Sequence, residues 1–449
     1  MEYPGSKFTR RYRLILFAVF VAAFFVITPV LIMYSSGYRY DWQNGLIKET
    51  GAINVDILPV NAVVYLNDAW LKGGMPYRLK NIAPGKYRLK ITAPGYFDWL
   101  KDVEVKSKQT VYIKEISLLK KNTPYLLAPG QIKNAALAAD GNFIIFSRQK
   151  TVLEFWLRDL TQQKETLLLE LPPGKPLTIV WAKKNNYAVI SEAEPPYKTL
   201  IIINTVNPGK QINLTQKSKE PILKYEWKQS VEPELFFGVK NKFYSLLPRR
   251  GQVYNIAKNT WRDWTMENSQ LWVLRKNDTG GIELVNDLLG FNSIFTPAPN
   301  TENIILDDTY NLIAAKNNEV LLHKKNTSEM LLLASQNTYK INGEKFLISP
   351  YNDWWLIWTP WELTTYSQSE EPYLLNRSGE QLKEAMPLDK SNTLGLVWEN
   401  RVTVLFPYYL VSHNLIDQPI TAATADSERR IFYFGAKINN EEGLWQLTY

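Results

Sequence analysis

Cysteine is absent from the 449 residues, and histidine occurs only twice, at His323 and His413. Without cysteine the chain can form neither a disulfide framework nor a thiolate metal site. The two histidines are about 90 residues apart and lack the spacing of paired metal ligands. The composition therefore excludes a metal centre built on cysteine or histidine, and we predict no metal and no cofactor.

Recognisable catalytic motifs are also missing. The sequence has no G-x-S-x-G nucleophile turn, no phosphate-binding loop and no dinucleotide fingerprint. Adjacent acidic pairs occur at residues 307–308, 370–371 and 441–442 and could in principle serve as glycosidase carboxylates. Neighbouring residues on a strand point to opposite faces, which favours solvated turns instead. We therefore assign no catalytic residue and predict a protein without enzymatic activity.

Positive charge is in excess but unevenly distributed. Of the net charge of +8, residues 1–13 contribute +3 and residues 35–121 contribute +6, which leaves −1 for residues 122–449. A pI near 9.1 would favour a nucleic-acid partner only if basic side chains covered the whole molecule. The nearly neutral C-terminal region therefore argues against nucleic-acid binding.

One long apolar segment is present, at residues 14–34, and it carries no charge. A helix of that length spans roughly 30 Å, the thickness of a bilayer core. The basic residues of the preceding tail, 1–13, should stay in the cytoplasm. The sequence thus predicts a single-pass anchor in the cytoplasmic membrane with all later domains extracytoplasmic. A cleaved signal peptide is the alternative, but the segment is longer than such apolar regions and only residues 35–37 offer small side chains.

Residues 35–120 contain short apolar alternations separated by glycine and proline turns, a spacing that predicts a compact β-sandwich. The segments PVNA (59–62), VVYLN (63–67), GMP (74–76), PGKY (84–87) and GY (95–96) resemble the PEGA domain of bacterial and archaeal surface proteins. Two positions depart from the family pattern. PVNA occupies the place of the tetrapeptide after which the family is named, and Met75 replaces a threonine. The resemblance implies a surface β domain, an interaction or spacer module without known catalytic residues.

The basic side chains of this predicted domain have two interpretations. Arg88, Lys90, Lys106 and Lys108 are candidates for contact with anionic lipid headgroups or wall polymer, at up to ~1 kcal/mol per basic residue near such a surface. The alternative is a solvated face that keeps a small sheet soluble.

Residues 121–449 repeat a strand pattern with a period of about 43 residues, the length of a four-stranded propeller blade. In the clearest copy, residues 134–160, two apolar strands flank an Asp-Gly turn at 140–141, and a later strand ends in RDL. The copies resemble the WD40-like blades of TolB-type propellers. Eight units can be counted, or seven if the last completes the first. They start at residues 134, 177, 222, 261, 302, 346, 394 and 420.

The predicted fold class is all-β. It comprises a single N-terminal transmembrane helix, a small PEGA-like β-sandwich and a β-propeller of seven or eight blades, with eight favoured. The densest aromatic cluster of the propeller lies at residues 351–363. Because aromatic side chains commonly anchor partners, four residues of this cluster are candidate binding aromatics, with packing between blades as the alternative. They are Trp354, Trp355, Trp358 and Trp361.

These features predict a non-enzymatic bacterial cell-surface protein, anchored in the membrane, that presents its propeller to a protein or a cell-wall glycan. The first alternative is a propeller-based extracytoplasmic enzyme acting on glycans or peptides, with catalytic groups around the central channel. A further alternative is a periplasmic assembly factor of TolB type. Because propellers host many unrelated functions, the residues at the channel end discriminate between them. Convergent carboxylates would favour the enzyme, and an aromatic rim would favour binding.

Overall fold

The chain folds into two compact units, Met1–Lys121 and Asn122–Tyr449. The structure is a computed structural model that describes residues 10–42, 45–228, 230–240, 242–256, 261–267, 270–277, 281–288, 291–294, 306–334, 337–351, 353–368 and 370–449. Most of the predicted cytoplasmic tail, residues 1–9, lies outside the described residues.

The first unit begins with helix α1, Arg10–Ser35, which contains the predicted apolar segment and tolerates Pro29 in its interior. Its residues Arg11–Ser35 are long and apolar enough to cross a membrane, a criterion that signal sequences also meet. None of the side chains of residues 11–35 is buried against protein. A helix that is apolar on all sides is typical of a membrane span or of a fully buried core helix.

After the helix, the described residues of the first unit form nine strands. They are β1 Tyr38–Asp41, β2 Leu46–Glu49, β3 Gly51–Leu58, β4 Val63–Leu66, β5 Ala69–Trp70, β6 Tyr77–Ile82, β7 Gly85–Thr92, β8 Trp99–Val105 and β9 Thr110–Ser117. Strands β1 and β2 form a separate hairpin. The others form two sheets, in the orders β6-β3-β9 and β5-β4-β7-β8, with β3 and β9 parallel.

Strict alternation along these strands builds the sandwich between the two sheets. Every second residue of β3 is buried, and in β8 Trp99, Val103 and Val105 are buried while their neighbours are not. Gly51 shows how closely the sheets approach. A Cβ at this position would lie 2.5 Å from Cγ1 of Val105 and 2.6 Å from the carbonyl oxygen of Lys106. Only glycine fits there, and the predicted sandwich is confirmed.

The second unit is a ring of four-stranded antiparallel sheets, which confirms the predicted propeller. Among its described residues there are eight such sheets. Sheets 1 to 3 are β11 Gln131–Leu137, β12 Phe143–Gln149, β13 Leu153–Asp159, β14 Lys164–Leu171; β15 Leu177–Trp181, β16 Tyr187–Glu192, β17 Leu200–Asn204, β18 Gln211–Asn213; and β19 Lys224–Trp227, β20 Leu235–Val239, β21 Lys242–Leu247, β22 Gln252–Asn255. A short helix α2, Leu214–Ser218, follows β18.

Sheets 4 to 6 are β23 Trp261–Glu267, β24 Gln270–Lys276, β25 Ile282–Leu288, β26 Phe291–Ile294; β27 Tyr310–Lys316, β28 Glu319–Lys324, β29 Glu329–Leu333, β30 Thr338–Asn342; and β31 Lys345–Ile348, β32 Trp355–Trp358, β33 Glu362–Ser367, β34 Glu370–Arg377. Sheet 7 is β35 Leu382–Pro387, β36 Leu394–Trp398, β37 Val402–Phe406 and β38 Val411–Ile416. Sheet 8 joins β39 Ile420–Asp426, β40 Ile431–Ile438 and β41 Glu441–Thr448 to β10 Tyr125–Pro129.

The two ends of this unit close the ring together. Strand β10 pairs antiparallel with β41, so sheet 8 contains both the first and the last strand of the unit. Sheet 8 also packs on sheet 1, where Arg429 donates to the carbonyl of Gly141 and, at 3.0 Å, to Oδ1 of Asn142. A Cβ on Gly141 would lie 2.6 Å from Oδ2 of Asp426, and its φ of +67° favours glycine independently.

The innermost strands surround a central channel. Strand β11 contacts β15 on one side and β39 on the other, and β23 contacts β19 and β27 in the same way. The middle strands are the most buried, since all residues of β16, β32, β36 and β37 are buried. Apolar clusters fill the space between successive sheets, such as the one around Val189, Leu200 and Phe237 between sheets 2 and 3.

Candidate functional site

An open groove lined by aromatic side chains lies between sheets 6 and 7. Its volume is about 260 Å³. We call it the aromatic groove, and its lining residues are Trp354, Thr365, Tyr366, Ser367, Glu370, Glu371, Tyr373, Leu375, Pro407, Tyr408 and Leu410.

The walls of the groove come from three segments. Trp354 immediately precedes β32, and its ring meets that of Tyr408 edge-on at 5.1 Å between centroids. Tyr408 and Leu410 lie on the turn between β37 and β38, and they are 59% and 51% exposed. Tyr373, 50% exposed, comes from the outer strand β34. Three large side chains that keep half or more of their surface in solvent thus border one concave site, which is unusual for a packing arrangement.

The floor of the groove is held by a buried carboxylate. Tyr366 donates its hydroxyl to Oε1 of Glu319 at 2.8 Å, and Trp355 donates Nε1 to Oε2 of the same residue at 2.7 Å. Glu319 is 3% exposed and lies on sheet 5, so it joins that sheet to sheet 6. Burial raises the pKa of Glu319, although its bonds to Tyr366 and Trp355 lower it in part. The side chain beneath the groove is therefore fixed in place before any partner arrives.

The rim of the groove carries negative charge. Glu370 and Glu371 open strand β34, and both are exposed. Neither side chain forms an ion pair with any residue in the described ranges. Glu371, Tyr373 and Leu375 of the same strand also line the groove. A carboxylate beside aromatic rings is suited to a cationic group that can pair and stack at once.

The four predicted binding aromatics occupy different environments. Trp355 is fully buried and Trp358 is 2% exposed, because β32 is a middle strand covered on both faces. These two pack in the core, as the alternative interpretation has it, and do not reach the surface. Trp361 is 51% exposed but lies outside the groove. Trp354 is half-buried and forms a wall of the groove.

Tyr373, Tyr408 and Leu410 lie outside the aromatic cluster at residues 351–363 that the sequence predicts. Tyr373 lies on the outer strand of the same sheet as the tryptophan cluster, and Tyr408 and Leu410 join it because sheets 6 and 7 are neighbours. The segment PYYL (407–410) did contain a signal, since a proline followed by two tyrosines in an apolar run indicates a turn with aromatic side chains.

A larger cavity, of about 590 Å³, occupies the end of the channel where the inner strands finish. Its carboxylates have partners within the protein. Asp140 accepts from the backbone of Asn142 at 3.0 Å. Asp426 accepts from Arg429, whose side chain also contacts Gly141. Glu384 lies 3.4 Å from Nζ of Lys345. These carboxylates hold turns and neighbouring strands in place.

Two charged residues that line this cavity, Lys183 and Glu384, have shifted pKa values. Burial lowers the pKa of Lys183, and the positive charge of Lys316 lowers it further. Burial raises the pKa of Glu384, against the opposing effect of Lys345. In the described part of the chain there is no group of three histidine, cysteine, aspartate or glutamate side chains that could hold a metal ion.

The predicted basic contacts of the first unit are only partly available. Arg88 lies 3.9 Å from Asp102, and Lys90 lies 3.1 Å from Asp98. Lys108 pairs with Glu49 at 3.0 Å and donates to the hydroxyl of Tyr38 at 2.7 Å. Lys106 is exposed. Their contact with an anionic surface stays a prediction.

Comparison with protein families gives one match. Residues 50–118 match the model of the PEGA domain. The match covers the two-sheet sandwich and excludes helix α1 and the β1–β2 hairpin. No curated protein matches the chain.

Several solved propellers resemble the chain at low identity. The C-terminal WD40 domain of Sif2 has 12% identity and a TM-score of 0.45, with 73% of this chain and 99% of that chain covered. Sqt1 of Saccharomyces cerevisiae has 10% identity and a TM-score of 0.45, with 73% and 99% covered. The propeller domain of Cps50 (Swd1) from Myceliophteria thermophila has 8% identity and a TM-score of 0.43, with 73% and 100% covered. At identities this low, the similarity bears on the fold alone and says nothing of function. The chain combines an N-terminal apolar helix, a PEGA domain at residues 50–118 and a β-propeller whose structural neighbours are WD40 propellers.

Proposed function

We propose that the protein is a non-enzymatic binding protein of the bacterial cell surface, held in the cytoplasmic membrane by α1, with its propeller outside. Its partner is a polypeptide that inserts an arginine-bearing segment into the aromatic groove. The observation that carries this proposal is the groove itself, with exposed aromatic walls, a fixed floor and a carboxylate rim. The basic residues before the apolar helix support the orientation, because such residues stay on the cytoplasmic side.

The dimensions of the groove favour a side chain over a whole small molecule. Small-molecule pockets usually measure about 300–1,000 Å³. At about 260 Å³ the groove has room for one or two side chains of a longer ligand. It also runs along β34, an outer strand, where an extended peptide can lie beside the exposed strand edge.

Charge and ring geometry favour arginine within that segment. A guanidinium can stack on the ring of Tyr408 or Trp354 and still pair with Glu371 through its planar edge. An ammonium can pair with the carboxylate, but it stacks less well. An acidic segment would face the unpaired charges of Glu370 and Glu371 and be repelled.

Catalysis at the channel end has less support. The alternative of a propeller enzyme needs carboxylates free to act as acid and base on a bound substrate. Asp140 and Asp426 instead accept hydrogen bonds from the turns that contain them, and Glu384 lies beside Lys345. We therefore propose that the channel end serves to close the ring.

The test uses the full chain in detergent micelles and a peptide array. Each peptide of the array carries one arginine between apolar residues, and a matched array carries citrulline, which has the same shape without the charge. We expect binding to the arginine array and loss of most of it in Tyr408→Ala. Glu371→Gln should weaken binding about fivefold, the effect of ~1 kcal/mol from one exposed charge pair.

The chain offers a matched control in Trp361→Ala, which removes an equally exposed aromatic side chain of sheet 6 outside the groove. This variant should bind like the wild type. Equal binding of the citrulline array, or an equal loss in Trp361→Ala and Tyr408→Ala, would contradict the proposal. If a soluble cell-wall oligosaccharide binds in the groove and no peptide does, the partner is a glycan and not a polypeptide.

A further inference from the structure

The β1–β2 hairpin is a small two-stranded sheet that exposes large apolar side chains. Trp42 is 88% exposed, Leu46 60%, Ile47 54% and Tyr40 51%. Tyr40 pairs with Ile47 across the two strands, and the ring of Trp42 meets that of Tyr40 edge-on at 4.8 Å. Isolated hairpins are marginally stable in water, and four exposed apolar side chains at one tip make water an unfavourable surrounding.

The base of the hairpin is fixed to the end of helix α1. Arg39 lies over the ring of Tyr34 at 3.7 Å and donates to the carbonyl of Tyr34 at 2.5 Å. On the other strand, the backbone of Thr50 donates to the carbonyl of Gly37 at 2.9 Å. Lys108 of the sandwich contacts Tyr38. The hairpin therefore cannot move far from the helix end, and its tip is the part left uncovered.

The helix end sets the level at which the hairpin lies. The uncharged segment ends at residue 34, and β1 begins at Tyr38, four residues later. The polar headgroup layer adds roughly 5–8 Å to each side of the bilayer core. Tryptophan and tyrosine are enriched in this layer because their rings prefer apolar surroundings while their polar atoms prefer water.

We propose that the tip of the hairpin, formed by Tyr40, Trp42, Leu46 and Ile47, lies in the headgroup layer of the membrane that α1 crosses. The inference rests on the anchoring role of α1 in the proposed function and is independent of the aromatic groove. The ligand is the lipid bilayer, and the contact is apolar. The two strands carry two basic and two acidic residues, so their charges cancel. Salt should therefore leave the contact unchanged.

The absence of cysteine makes a site-specific test direct. Single cysteines are introduced into the full chain, which is reconstituted in vesicles of phosphatidylcholine and phosphatidylglycerol and labelled with a nitroxide. Labels at Trp42→Cys and Ile47→Cys report on the tip. Matched controls are Trp70→Cys and Tyr112→Cys, both 59% exposed on the sandwich. Phe24→Cys reports on the middle of α1.

The readout is relaxation of each label by oxygen, which is soluble in lipid, against relaxation by a water-soluble nickel chelate. We expect the tip labels to shift toward oxygen and away from nickel relative to both controls, at low and at high salt. Tip labels that match the controls, with Phe24→Cys in lipid, would overturn the inference and leave the anchor intact. A nickel-accessible Phe24→Cys would overturn the anchor and the hairpin contact together.

Discussion

A partly buried charge cluster ties sheets 3, 4 and 5 together at the channel, and Lys224 is at its centre. Nζ of Lys224 lies 3.1 Å from Oδ1 of Asp263 and 3.6 Å from Oε1 of Glu226. It also donates to the carbonyl of Leu312 at 2.6 Å, and the backbone of Leu312 donates to Asp263 at 2.7 Å. Substituting methionine for Lys224 keeps the length of the side chain and removes the charge and the hydrogen bonds.

The expected loss of stability follows from the charge that this change leaves behind. Removing one partner of a buried ion pair costs about 3–5 kcal/mol. The Lys224 side chain is 25% exposed to the channel, so water screens part of the remaining charge of Asp263. We therefore expect the lower value, about 3 kcal/mol. At roughly 2 °C per kcal/mol for a unit of this size, the melting midpoint of the propeller should fall by about 6 °C.

The pH of the measurement matters, and its sign can be worked out. Burial lowers the pKa of Lys224, but the charges of Asp263 and Glu226 outweigh burial and raise it. A raised pKa means that the contribution is fully present below the ordinary value of about 10.4 and is lost only as the pH rises through the folded value. Unfolding at neutral pH therefore measures the whole effect.

The assay is calorimetric melting of wild type, Lys224→Met, Asp263→Asn and the double variant. We expect the double variant to be more stable than the sum of the single losses predicts, by at least ~1 kcal/mol, because it leaves no unpaired charge on this pair. Lys390→Met is the control, since it breaks an exposed pair with Glu428 and should leave the midpoint unchanged. A Lys224→Met variant that melts like this control, or additive losses in the double variant, would contradict a stabilising role of this ion pair.

Two further predictions concern a buried phenol and the closure of the ring. Burial raises the pKa of Tyr225 to about 12, and its ordinary value is about 10, so the wild type should lose more stability than Tyr225→Phe as the pH rises between these values. Urea unfolding at neutral pH should show Tyr225→Phe to be less stable than the wild type by about 1 kcal/mol, because the variant lacks the 2.7 Å hydrogen bond to Ser191. This difference in unfolding free energy should vanish at about pH 11. A difference that stays constant with pH would contradict the raised pKa of Tyr225. Deleting residues 122–130 removes β10 and uncovers the edge of β41, so size-exclusion chromatography should show self-association, whereas a monomer with an unchanged melting curve would count against closure by β10.

The repeat pattern located most of the inner strands because these begin apolar runs. The predicted starts at 177 and 261 coincide with the first residues of β15 and β23, and the start at 346 is one residue from that of β31. The start at 394 falls on β36 instead of β35. Strand β35 buries only two of its residues, since it faces the channel with polar side chains, and it therefore lacks the apolar run that a sequence pattern detects.

The aromatic groove could be predicted less well than the fold, and the reason lies in the burial of β32. A half-buried strand shows which residues face solvent by alternation, but a strand buried on both faces reads as a continuous apolar run. The sequence WLIW of β32 is such a run, and it gives no sign that Trp355 and Trp358 are inside. Trp354 borders the groove because its ring meets Tyr408, which lies on a turn of sheet 7.

Indole hydrogen bonds link several neighbouring sheets through acceptors of different kinds. Trp181, at the end of β15, donates to the carbonyl of Ala136 in sheet 1 at 2.9 Å. Trp227, at the end of β19, donates in the same way to Val180 in sheet 2 at 3.2 Å. A backbone acceptor is available at any residue, so the acceptor leaves no trace in the sequence. Between sheets 5 and 6 the indole of Trp355 instead bonds the carboxylate of Glu319. Links between neighbouring sheets are thus made by different residues, and a sequence pattern cannot locate them all.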